Sequence, residues 1–155
     1  MIIKLKLLAL LISMIFVSCG PQILNRPLTN NSKQVFTVLN QIKYSKKDEY
    51  KDLLYDKVIP ALRAYKDISD EKDKLNQMVN DGMYVIEPKS VGDDSTWMFV
   101  YIVKPYIKGA NYNIIPPLKQ MYGDKEAKEI FKRWNKCYSS KQIAYWSSDD
   151  ITKIK

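Results

Sequence analysis

Histidine is absent from the 155 residues. That removes Ser-His-Asp and Cys-His catalysis, an imidazole ligand for haem, and zinc sites built on histidine. Cysteine is nearly absent too. Cys19 and Cys137 are too few for a disulfide scaffold or a four-cysteine metal site. Arginine occurs only at Arg26, Arg63 and Arg133, so lysines spread along the chain carry most of the net charge of +8. Nucleic-acid binding asks for clustered basic residues, and this spread argues against it. There is no glycine-rich phosphate loop and no nucleophile–base couple. Neither a metal nor a cofactor is expected.

What is present is globular: 46% hydrophobic and 27% charged residues, in a length suited to one domain. Residues 1–18 read as a secretory leader. Lys4 and Lys6 precede an apolar run from Leu7 to Val17, broken by Ser13. That run is shorter than the roughly 20 residues a membrane span needs. It ends in Phe16-Val17-Ser18-Cys19-Gly20, which resembles the lipobox of bacterial lipoproteins. The resemblance implies that Cys19 is acylated and becomes the N-terminus. The competing reading is an ordinary signal peptide with a chance cysteine. Residues 19–34 carry two prolines and three asparagines without periodicity, as a flexible tether would. The implied location is the bacterial cell envelope, with a lipid anchor in the membrane and the domain facing the periplasm. Cys137 lies on a helical apolar face and reads as a small buried hydrophobe rather than a reactive thiol.

Residues 35–148 form the domain, and 149–155 a frayed tail. Val35 to Tyr44 reads as a strand with Val35, Thr37, Leu39 and Gln41 on one face and Phe36, Val38, Asn40 and Ile42 on the other. Ser45, with Asp48 three residues on, suggests a capped helix start. Tyr50, Leu53, Leu54, Val58, Ala61, Leu62 and Tyr65 then make one apolar stripe, in which Pro60 predicts a kink or break. Leu75, Met78 and Val79 predict a short helix that stops at Gly82. Met83–Val91 and Thr96–Val103 read as strands joined by a hairpin turn at Gly92-Asp93-Asp94-Ser95, the first at an edge or bulged because of Pro88. Lys104–Pro117 reads as irregular. A helix begins at Asp124, with Ala127, Ile130, Phe131, Trp134, Cys137 and Tyr138 sharing a face, and Gln142–Ser147 is a fourth strand. This order predicts an α+β fold of the ferredoxin-like, split βαβ kind: a four-stranded antiparallel sheet with helices on one face.

Val35-Phe36-Thr37-Val38-Leu39-Asn40-Gln41-Ile42-Lys43, followed at once by a helix from Ser45-Lys46-Lys47-Asp48-Glu49-Tyr50, resembles the dimeric α+β barrel superfamily of antibiotic-biosynthesis-monooxygenase-like domains. Trp97-Met98-Phe99-Val100-Tyr101 as third strand, and the helix with Phe131 and Trp134, extend the likeness. The resemblance implies face-to-face pairing of two sheets and a pocket between each sheet and its helices. Some members are cofactor-independent monooxygenases and others degrade haem. Asn40 matches the first-strand asparagine of the haem-degrading type. Val103 stands roughly where that type has tryptophan, and its helical histidine has no counterpart, which argues against haem.

Asn40, Tyr84, Trp97, Tyr101 and Trp146 are the candidate ligand-pocket residues. An amide at Asn40 could orient a ligand carbonyl or phenolate, or simply bond an edge backbone group. The aromatics could line a cavity or be plain core. Three functions remain open: a non-catalytic module binding a small apolar ligand or a partner, an oxygenase with Asn40 as orienting group, and a structural accessory subunit of an envelope complex. Both faces of the predicted strands are apolar. A homodimer that pairs the free faces is therefore expected, unless Lys66–Asp81 or Lys104–Pro117 folds over the sheet.

Overall fold

The computed structural model describes residues 34–148. Cys19, the rest of residues 19–33 and the tail lie outside the described residues, and Gln34, expected to end the tether, opens the first strand. The elements run β1 (Gln34–Lys43), a 3-10 turn (Tyr44–Lys46), α1 (Lys47–Leu53), a π-helical turn (Leu54–Val58), α2 (Ile59–Ala64), α3 (Asp70–Asp81), β2 (Met83–Ile86), β3 (Thr96–Val103), α4 (Ile115–Cys137) and β4 (Ile143–Ser148). The sheet order is β2-β3-β1-β4, and every neighbouring pair is antiparallel. With one helical crossover before β2 and another before β4, this is the ferredoxin-like α+β architecture.

The β1 alternation sets the layers. Phe36, Val38, Asn40 and Ile42 pair with Val103, Tyr101, Phe99 and Trp97 of β3. Ile42 and Phe99 join Tyr50, Leu53, Leu54, Val58, Ala61, Leu118, Ala127, Ile130, Trp134 and Cys137 in the main core, so this is the face the helices cover. At the other end of that face, Val103 packs with Val79 of α3 and Ile107, and Phe36 and Met83 flank them. Neither α3 nor the 104–117 segment therefore reaches the opposite face. The charged stretch and the loop both lie on the helix side.

Several local expectations are corrected. Ser45 falls inside the 3-10 turn, and α1 starts at Lys47 without a side-chain cap. Pro60 stands where the α-helix is interrupted, as expected: a π-helical turn separates α1 from α2. It follows the π-helical turn, which accommodates it: Pro60 has no N–H for the Asp56 carbonyl, and the Tyr122 hydroxyl lies 3.4 Å from that oxygen. Gly82 ends α3 as expected, at φ −92°. A Cβ there would lie 2.6 Å from the Lys104 carbonyl oxygen, so close chain approach is what requires glycine. β2 stops at Ile86 rather than Val91, because Pro88 cannot donate to a ladder. The tight turn at Gly92–Ser95 still forms, with Gly92 N donating to Thr96 O at 2.8 Å. Ile115–Pro117 are helical: the prolines that read as breakers occupy the first turn, where no intrahelical N–H is needed. Gly123, at φ 76°, interrupts this helix just before Asp124.

Candidate functional site

The register places Asn40 opposite Phe99, beneath α1 and the end of α4. Asn40 is 0% exposed. A polar residue on a core-facing strand position needs partners, since a buried unpaired amide hydrogen costs about 1–3 kcal/mol. Its Oδ1 has one: Gln142 Nε2 donates to it at 2.5 Å. Its Nδ2 has no partner.

Around it stands a set of phenols. Tyr50 projects from α1 onto Phe99, with ring centres 4.8 Å apart, and stacks on Trp134 of α4 at 4.4 Å. Its hydroxyl meets that of Tyr101 on β3 at 2.6 Å. Tyr138, directly after α4, bridges to Ile42 of β1 and sets its ring edge-on to Tyr50. Its hydroxyl accepts from Gln142 Nε2 at 3.0 Å. The Tyr138–Gln142 contact and the Gln142–Asn40 contact share one donor nitrogen, which links β1 to the α4–β4 connector.

Burial decides the electrostatics here. It pushes the Tyr50 phenol far above the ordinary 10.0, and the neighbouring Tyr101 and Tyr138 phenols push it further. Burial also raises Tyr101 well above 10.0, partly offset by its bond with Tyr50, and raises Tyr138 in the same way. All three stay protonated and neutral near neutral pH. They can donate and accept hydrogen bonds but cannot serve as bases. The Cys137 thiol is likewise raised by burial, and its Sγ donates to Arg133 O at 3.3 Å. It is a packing residue rather than a nucleophile. Among the described residues no group of three or more His, Cys, Asp or Glu could hold a metal, and no helix is long and apolar enough to cross a membrane.

Of the sequence candidates, Asn40 and Tyr101 share this site. Trp97 lies on the same sheet face at its far end, where it stacks on Tyr44 at 5.9 Å and carries the Lys47 ammonium 3.8 Å above its ring. Trp146 lies at the other end, 5.1 Å from Phe36, with its Nε1 buried and unpartnered. Tyr84 pairs with Ile102 on the opposite face and is 61% exposed, so it does not meet Asn40. Tyr50, Tyr138 and Gln142 belong to the site but were not singled out from the sequence. Tyr50 and Tyr138 were visible there as members of apolar stripes; nothing local marked Gln142.

No family model matches the chain, and no curated protein matches it. A solved structure similar to it is a Caulobacter crescentus protein provisionally assigned as an antibiotic biosynthesis monooxygenase. The two are 9% identical, the match covers 74% of this chain and 87% of that one, and the TM-score is 0.38.

Proposed function

We propose that this is a lipid-anchored protein of the bacterial cell envelope whose domain is a non-catalytic module for a small, uncharged, largely apolar ligand, working as a homodimer. The observation that carries the ligand is Asn40: a fully buried amide with a free donor, enclosed by neutral aromatic groups. No basic side chain stands among these partners to compensate a buried anion, so an uncharged ligand with a hydrogen-bond acceptor fits best. The raised phenols offer no base near neutral pH, which supports binding over turnover. The leader and the Phe16-Val17-Ser18-Cys19 junction support the anchor.

The dimer is supported by the free sheet face. Val35, Thr37, Leu39, Gln41, Met98, Val100, Ile102, Tyr84, Ile86, Ile143 and Tyr145 share it by register, with Lys43, opposite Thr96 at one end, the charged residue among its strand positions. Tyr84, Ile86, Ile143 and Tyr145 are 61%, 51%, 45% and 52% exposed. On a chain of net charge +8, a face that is apolar except for Lys43 at its end lets two copies meet with little like-charge repulsion.

Coumarin, a neutral aromatic lactone with a carbonyl acceptor, is a suitable probe. Wild type should bind it, and Asn40→Leu should weaken binding about tenfold. Equal binding by the two would sink the ligand site, and coumarin-dependent dioxygen uptake would replace the module with an oxygenase. Detergent partitioning of wild type against Cys19→Ala tests the anchor, and identical partitioning would remove it.

A further inference from the structure

Asn40 is sealed in part by a residue that is itself exposed. Gln142 belongs to the connector between α4 and β4 and is outside any helix or strand. The backbone around it is held in place. Tyr138 bridges to Ile42, Ser139 N donates to Gln41 O at 2.9 Å, Ser140 Oγ donates to Gln41 Oε1 at 2.5 Å, and β4 begins at Ile143. The Gln142 side chain can therefore rotate away without disturbing the sheet.

Its hydrogen bonding is incomplete in an informative way. Two carboxamides set edge to edge can form a reciprocal pair, each donating to the other. Here Gln142 Nε2 gives one hydrogen to Asn40 Oδ1 and the other to Tyr138. Nothing accepts from Asn40 Nδ2. Asn40 thus holds half of an amide pair, with the second half unfilled at full burial.

We infer that Gln142 is an internal stand-in for the ligand, and that the ligand carries a cis-amide edge, as in a lactam or a primary carboxamide. Such an edge displaces the Gln142 side chain, donates to Asn40 Oδ1 and accepts from Asn40 Nδ2. A lactone of the same shape offers the acceptor but sets a ring oxygen against Oδ1. This inference rests on the ligand-binding reading and sharpens it to a ligand class. A site that pairs both ends of a buried amide rejects an analogue lacking one of the partners.

The matched probes are 2-quinolinone, a lactam, and coumarin, its lactone isostere. Both are titrated into the full chain while the Asn40 side-chain amide is followed by nitrogen–proton NMR. The lactam should bind about tenfold tighter than the lactone, and Asn40→Leu should erase the difference. Gln142→Ala removes the internal competitor. It should tighten lactam binding and speed exchange of the Asn40 Nδ2 hydrogens about tenfold. Equal affinity for the two probes would overturn the inference and leave the ligand site standing. Failure of both probes on wild type and Gln142→Ala would overturn the inference and the ligand site together. Unchanged Asn40 exchange in Gln142→Ala would overturn the inference without recourse to any ligand.

Discussion

The hydroxyls of Tyr50 and Tyr101 lie 2.6 Å apart and tie α1 to β3 inside the aromatic core. One donates to the other, which gives each buried hydroxyl a partner. Tyr50→Phe or Tyr101→Phe should cost about 1–3 kcal/mol, because each leaves a buried hydroxyl without this partner. The double substitution should cost less than the sum of the two. Urea unfolding of the four proteins checks this, and strict additivity would mean that the contact contributes nothing.

The same burial sets a behaviour at high pH. The folded-state pKa values of Tyr50, Tyr101 and Tyr138 lie above the ordinary 10.0, whereas the unfolded chain ionises near that value. Their contribution is fully present below pH 10 and is lost as the pH rises beyond it, at about 1.4 kcal/mol per pH unit for each group. Tyr50→Phe should make the alkaline fall in unfolding free energy shallower by about one such group. Urea midpoints measured on either side of pH 10 would show it, and parallel curves for the two proteins would refute it.

Gly82 and Gly123 should respond to alanine for different reasons. A Cβ at Gly82 meets backbone atoms of Lys104 at 2.6 and 3.2 Å, so α3 or the start of the 104–117 loop must move. Gly82→Ala should cost about 1–3 kcal/mol, the range for overpacking. At Gly123 there is open space but φ is 76°, so Gly123→Ala should cost about 1–2 kcal/mol through backbone strain alone. Thermal melts of the two variants check both costs, and an unchanged melting temperature in either would refute the account given for it.

Ile102 sits at the middle of the free, largely apolar sheet face, paired with Thr37 on one side and Tyr84 on the other. Ile102→Glu should convert a dimer sedimenting at micromolar concentration into a monomer with its near-ultraviolet dichroism intact. Like charges would then face each other across the two-fold axis. A wild type that sediments as a monomer would end the dimer proposal.

Much of the architecture was legible before any coordinates. Phe36, Val38, Asn40 and Ile42 alternate with Val35, Thr37, Leu39 and Gln41, and a strand has no way to satisfy that pattern except by presenting two faces. The order of periods, two then 3.6 then two again, carried the ferredoxin-like topology. Errors collected at the ends of elements. Ser45, Pro88 and Pro116 each carry a local preference, and packing decided which of its alternatives applied. Gly82 shows the difference most plainly: its sequence position marked the end of a helix, while only the tertiary contact with Lys104 made it a point of close approach.

The site divides along the same line. Asn40 is conspicuous in the chain because a buried amide interrupts an apolar face, a property that three or four neighbouring residues reveal. Gln142 is 102 positions away from Asn40 and reads in sequence as an ordinary polar connector residue. Tyr50 and Tyr138 read as apolar bulk, since periodicity reports which face a ring takes but not what its hydroxyl meets. Composition and spacing act through the nearest few residues, and they determined the strands, the core faces and the want of histidine chemistry. The pairing of Asn40 with Gln142, of Tyr50 with Tyr101, and the exile of Tyr84 to the free face depend on antiparallel register between distant segments, which exists only once β1, β3 and β4 have met.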